Sequence, residues 1–309
     1  MNELVARLRA AGCVFAEDEA RILTEAAAGD AARLEELVAA RVGGLPLEHL
    51  VGWAELDGRR WRVAPGVFVP RQRSELLVRE AAERAAAGAA EPSAGHGAVL
   101  LVDLCCGCGA LGGAVAARLL AAGHDVELHA ADVDPVAVTC AHDNFKALAD
   151  DDGGPGASGA PGPLQHSAAT PRPGRLSAHT YTGDLAEPLP AEVWGRVDVL
   201  VANAPYVPTS AISMMPPEAR DHEPHAALDG GDDGLAILRR VIDLAPTLLR
   251  PGGHLLIETG EAQVSAAVGH MTAAGLTPTV LSDEDLGATA LAATLPHDEG
   301  PLVEPVETS

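Results

Sequence analysis

The residues best placed to do chemistry in this chain stand where apolar runs stop. Residues 199–202 (VLVA) have the composition of a buried strand, and they give way to Asn203, Ala204, Pro205 and Tyr206. In an open parallel sheet, ligands sit just beyond the carboxyl ends of the strands, which puts Asn203 on the floor of a crevice, in a turn stiffened by Pro205. A second run ends at Asp103 and enters a small-residue turn with Cys105, Gly107 and Gly109. Glycines there let a ligand approach the backbone, and the helix that follows presents free N–H groups. A third run ends at Asp132, 132 − 109 = 23 residues past Gly109. That is near the spacing of roughly 20 expected for an acid that holds ribose hydroxyls. Asp134 competes for this role, but as the residue before Pro135 it more naturally begins a helix. Asp184, in a TGDL run, ends a fourth segment. Each feature has a plainer reading: a tight turn that needs glycine, a helix cap at Asp184, an Asn-initiated turn at Asn203. Four such features at successive strand ends, in this order, are far less expected by accident than any one of them.

The elements that would position these residues are legible. Over 1–44, helix-spaced positions (Leu4, Leu8; Ile22, Leu23, Ala26; Leu34, Leu37, Val38, Arg41) broken at Gly12, Gly29 and Gly43-Gly44 predict three short helices. Glu17, Asp18, Glu19, Glu35 and Glu36 read as their solvated faces. Asp57-Gly58 predicts a hairpin within 53–70, whose second run ends in GVFVPR ahead of a helix starting near Ser74. These parts form an expected N-terminal recognition domain over 1–84, followed by a linker over 85–97. From 98 to 295, strand and helix alternate, which predicts a parallel sheet with helices on both faces. A Gly/Pro/Ser-rich stretch at 150–177 reads as a mobile insertion, and 296–309 as a disordered tail.

Composition narrows the function. A chain of 309 residues, 47% hydrophobic, can bury a substantial core. With 44 acidic against 21 basic residues and a net charge of -23, it would repel a phosphate backbone, so nucleic acid is not the expected substrate. No stretch approaches the roughly 20 apolar residues of a membrane span, and the N-terminus lacks the apolar core of a signal peptide, so a cytoplasmic protein with no membrane partner is expected. Cys105 and Cys108 form a C-x-x-C pair between a strand and a helix, where the helix dipole would favour thiolate, so a thiol redox protein is one alternative. No second ligand pair at metal spacing accompanies them, and no metal is expected.

GVFVPR at 66–71, the turn at 103–109, Asp132, NAPY and the run PEARDHEPHAALDGGDDGL at 217–235 together resemble the HemK-type protein N(5)-glutamine methyltransferases. The likeness covers nearly the whole chain, and DHEPHAALDGG is its most family-specific piece. It implies an α/β, class I methyltransferase fold: a Rossmann-like, seven-stranded, mostly parallel sheet with a small N-terminal helical domain and β-hairpin. It also implies S-adenosyl-L-methionine (AdoMet) as cofactor, held by Asp103, Cys105, Gly107, Gly109, Asp132, Asp184 and Asn203. The protein substrate implied is a peptide-chain release factor methylated on its GGQ glutamine, with Asn203, Ala204, Pro205 and Tyr206 as the catalytic group. A sister branch that modifies a ribosomal protein and the N(6)-adenine nucleic-acid methyltransferases are further alternatives. The chain departs from the family in three places. Cys105 stands where the first turn glycine is expected, Ala204 where N-P-P-Y has proline, and residues 71–75 (RQRSE) where R-P-E-T-E is expected.

Overall fold

The computed structural model describes residues 1–89, 97–150 and 174–297. The three expected helices are α1 (Asn2–Ala10), α2 (Ala16–Ala26) and α3 (Ala31–Val42), joined by a short α4 (Leu47–Val51) that the periodicity is too brief to announce. Asp30 caps α3 by accepting from the N–H groups of Ala32 and Arg33. Leu8, Ala16, Ala20, Leu23, Leu37 and Val38 form a separate small core. One expectation fails here. Glu19 is buried, not solvated, and its carboxylate takes two hydrogen bonds from Arg41, at 2.6 Å from Nε and 3.1 Å from Nη2.

The hairpin is β1 (Trp53–Leu56) and β2 (Arg59–Arg62), with Asp57 and Gly58 both at positive φ as a two-residue turn of this hand requires. Its Trp61 is buried against α6 (Ala110–Ala121); a Cβ on Gly113 would lie 2.5 Å from the ring. The hairpin and α5 (Glu75–Ala89) therefore share the hydrophobic cluster of the sheet. Because α5 runs to Ala89, residues 85–89 are helical where a linker is expected; the rest of that segment through residue 96 lies outside the described residues.

The sheet comprises β3 (Val99–Leu104), β4 (Val126–Asp132), β5 (Leu176–Thr182), β6 (Val197–Ala202), β7 (Leu249–Glu258), β8 (Thr277–Asp283) and β9 (Ala288–Thr294). Its order is β5-β4-β3-β6-β7-β9-β8, with β9 antiparallel to both neighbours and the rest parallel. The central strands are buried on both faces, which explains their unbroken apolar runs. Val99 and Leu101 face α5, α6 and α7 (Pro135–Asp150); Leu100, Val102 and Leu104 face α10 (Ala236–Leu248) and α11 (Val264–Ala273). The chain leaves β3 first toward β4 and later returns on its other side as β6, so the order reverses at β3 and a crevice opens at the carboxyl ends there. Asp150 closes α7 and Leu176–Ser177 begin β5, so both ends of the stretch expected as an insertion are ordered. Residues 151–173 and the expected tail from 298 lie outside the described residues.

Candidate active site

The crevice spans about 1090 Å³, including space continuous with solvent, and is lined by Asp103, Cys105, Gly107, Asp132, Asp184, Asn203 and Pro205, together with Phe68 and Leu111. The fold thus gathers residues that are up to 205 − 68 = 137 positions apart in sequence. Asp132 is held from two sides: Oδ2 accepts from the Gly107 N–H and Oδ1 from the Asp134 N–H, each at 2.9 Å. Both residues lie at turns, so the carboxylate is aimed without help from another side chain. Asp134, the competing acid, serves as the helix-starting residue, its Oδ1 accepting from the Val136 N–H.

Asp103 is fully buried. Its Oδ2 accepts from the Gly112 N–H at 2.9 Å, while Oδ1 has no hydrogen-bond partner among the described residues. Burial pushes its carboxyl up to about 7; the Gly112 N–H opposes this and the Asp132 charge adds to it. A buried acid with an unused oxygen, beside a second acid, favours a ligand that brings a positive N–H donor. Gly112 must lack a side chain, because a Cβ would lie 2.8 Å from Asp103 Oδ2.

Not every expected residue lines this chamber. Gly109, at φ +77°, starts α6 and packs on α7, where a Cβ would meet Phe145 at 2.7 Å; its contribution is packing of the turn. Asp184 reaches the crevice but also accepts from Arg240 at 2.8 Å near the surface. Cys105 takes up the left-handed conformation at φ +57°, which favours glycine. The expected thiolates are absent. Burial raises the thiols of Cys105, Cys106 and Cys108, the last to about 12, because desolvation and nearby carboxylates outweigh the helix dipole. All five cysteines are free. On β4 and β5, Glu127, His129 and His179 come close enough to offer ligand atoms to a metal, a grouping no sequence spacing announces because it arises across strands.

A second chamber adjoins the first and shares Phe68, Asn203, Pro205 and Ala227 with it. Ala204 and Tyr206 line only this one, with Arg71, Arg73, Glu218 and Glu223. Beneath it lies a residue that sequence reasoning passed over. Glu258, buried at the end of β7, accepts from Arg73 Nε at 2.8 Å, Ser74 Oγ at 2.6 Å and the Tyr206 hydroxyl at 2.8 Å. Asn203 Nδ2 donates to Ser74 Oγ at 3.2 Å and to Glu258 Oε2 at 3.4 Å. These contacts occupy the amino end of the Asn203 carboxamide and leave its Oδ1 as the acceptor. Burial and the Glu258 charge push the Tyr206 hydroxyl up, so it stays protonated. An acid ending a sheet strand was the available signal, but two of its partners, Arg73 and Ser74, stand 185 and 184 residues earlier.

The turn itself is strapped from behind. Gln263 Nε2 donates to the carbonyl oxygens of Tyr206 (2.8 Å) and Asp233 (3.0 Å). Gly234, at φ +74°, approaches so closely that a Cβ would lie 2.3 Å from the Tyr206 oxygen. This close approach accounts for the last glycine of DGGDDGL. Neither chamber is lined by a histidine or lysine among the described residues. Apart from Arg71, Arg73 and the Tyr206 hydroxyl, which donate to Glu223 and Glu258, the polar groups at the junction of the chambers are acceptors, which suits ligands that bring donors or positive charge.

The chain is 34% identical to the release factor glutamine methyltransferase of Cereibacter sphaeroides, over 96% of this chain and 97% of that protein. It is 32% identical to the Geobacter sulfurreducens protein of the same name, over 77% of this chain and 69% of that one. Against the Mycobacterium tuberculosis protein of that name the identity is 31%, over 82% and 71%. No protein-family model matches the chain.

Proposed function

The chain belongs to the release factor glutamine methyltransferase family, and from that premise we propose how its two chambers divide the reaction. The protein is a class I methyltransferase that methylates the side-chain amide nitrogen of a release-factor glutamine with AdoMet as donor. The observation that carries this reading is the shared wall: Asn203 and Pro205 line both chambers, so a group in one meets a group in the other at Asn203.

The first chamber fits AdoMet. Its ammonium matches the unused Asp103 Oδ1, and its ribose hydroxyls match Asp132, which is already fixed by two backbone N–H groups. When bound, the cofactor supplies an electrophilic methyl group on a sulfonium. The second chamber takes the target glutamine. An amide nitrogen is a poor nucleophile because its lone pair is delocalised into the carbonyl, so orientation and charge stabilisation must do the work. Asn203 Oδ1 and the Ala204 carbonyl accept the two amide hydrogens and hold the nitrogen in line with the methyl. As positive charge grows on nitrogen, both acceptors bind it more tightly. No strong base is required, since the alkylated nitrogen readily loses a proton to water. Ala204, which lacks the ring of the family's proline, still precedes Pro205, which biases it to an extended backbone. A translation factor as substrate implies a cytoplasmic location, and no described helix is long and apolar enough to cross a membrane.

The test is methyl transfer from labelled AdoMet to a release factor, beside a Gln→Ala variant of its GGQ motif, ribosomal protein and DNA. Label confined to the intact motif is the expected result. Label on ribosomal protein or DNA instead would overturn the assignment.

A further inference from the structure

Glu223 opens the corner between α8 (Pro217–His222) and α9 (His225–Leu228), inside the family-specific run, and faces the chamber of Asn203, Ala204 and Tyr206. Its side chain is 1% exposed. One oxygen, Oε1, accepts from Arg71 at 2.5 Å; the other, Oε2, is buried and has no hydrogen-bond partner among the described residues. Leaving a buried carboxylate oxygen unsatisfied is costly, and burial accordingly raises the Glu223 carboxyl, with Arg71 opposing. The charged side chains lining the chamber each have a partner: Arg71 with Glu223, Arg73 with Glu258, and Glu218 with Arg41, which Glu19 shares. What Glu223 itself lacks is a hydrogen bond, not a countercharge.

On the reading of the chamber as the protein-substrate site, we propose that Glu223 is a substrate-binding residue. Its Oε2 accepts a hydrogen bond from an uncharged donor on the polypeptide that carries the target glutamine. The Arg71 pair cancels the carboxylate's charge, so a cationic side chain would bring a net charge into a cleft walled by Phe68, Pro46, Met215 and Pro216. A main-chain N–H or an uncharged side chain satisfies Oε2 without that cost. Glu223 thus acts beside Asn203 on a neighbouring part of the same substrate and takes no part in the methyl transfer itself.

Steady-state methylation of a release factor by the full chain tests this with Glu223→Gln. The glutamine keeps the size and can turn its oxygen to Arg71, which leaves an NH2 facing the substrate's donor. KM for the release factor should rise about tenfold or more, the scale of a lost hydrogen bond to a charged group, with kcat and AdoMet affinity within about twofold of the parent. If Glu223→Gln does not fold, Glu223→Asp carries the test, since it keeps the charge but withdraws it by one methylene; KM should rise there too. An unchanged KM in the folded variant overturns the proposal while leaving the methyltransferase reading intact. Failure of the parent protein to methylate any release factor removes both. Salt supplies the second arm. The chain's net charge of -23 sets a salt dependence common to both proteins, so the parent and Glu223→Gln should show the same change of KM with salt, and a steeper rise in the parent than in the variant would show a cationic donor and overturn the neutral one.

Discussion

The two chambers meet at Asn203 but are built on opposite electrostatic plans. The first keeps acids in reserve: Asp103 has an idle buried oxygen and a carboxyl raised to about 7, and Asp132 leans on backbone N–H groups alone. The second answers its buried acids with arginines, Arg73 on Glu258 and Arg71 on Glu223, even though Glu223 Oε2, like Asp103 Oδ1, lacks a hydrogen bond among the described residues. On the proposed reading the difference follows from what each would hold: a cationic cofactor would supply the countercharge that Asp103 lacks, whereas a neutral amide would need fixed acceptors whose own charges are already answered. The first chamber should therefore respond to changes in charge, the second to changes in geometry.

The largest expected effect separates the two cleanly. Asp132→Ala should weaken AdoMet binding by about 2 to 4 kcal/mol, the loss of charge-assisted hydrogen bonds, while the fold persists. Calorimetry is the measurement, and unchanged affinity would remove Asp132 from the cofactor site. Asn203→Ala is the complementary break: turnover should fall at least a hundredfold, about 2.7 kcal/mol, with cofactor affinity nearly preserved. If it lowers cofactor affinity as much as turnover, the chambers do not divide the reaction.

A sharper test uses pH. Asp103 is raised by burial from 3.8 to about 7, so its protonated form favours the folded, ligand-free protein; that contribution is complete below the unfolded value and is lost as pH rises through about 7. A cationic partner reverses the preference and binds the ionised form. AdoMet affinity should therefore rise several-fold from pH 6 to a maximum at about pH 7.5, with proton release near neutrality, and level off or fall above that as the cofactor's own α-ammonium, ordinarily at about 7.7–8.0, loses its proton. Calorimetry in buffers of different ionisation enthalpy would detect the proton, and a flat profile would show that Asp103 does not meet the ammonium. The smallest effect concerns Cys105. Its left-handed conformation costs about 1 kcal/mol, so Cys105→Gly should remove that strain at the price of greater chain entropy in the unfolded state. The expected net change in denaturant midpoint is a slight gain, and a clear loss would show that the thiol's packing outweighs the strain.

Much of this site lay in the sequence because its signals are local. Apolar runs bounded by Asp103, Asp132 and Asn203 placed the strand ends, and Asp57-Gly58 placed the hairpin, since strand period and turn chemistry are properties of a few neighbouring residues. The resemblance carried the cofactor and substrate further than spacing could. Tertiary structure decided which polar groups meet. Glu19 read as solvated until α3 brought Arg41 to it, and Glu258 became the anchor of Asn203 only when the sheet set β7 beside β6 and α5 returned Arg73 and Ser74 to its end. Gly109 looked like a ligand contact until α7 was seen to press Phe145 against it. Cysteines before a helix start looked acidic until their burial was known. Periodicity records which way a side chain faces along its own element, whereas desolvation and pairing depend on what another element brings to that face, and only the folded chain fixes that.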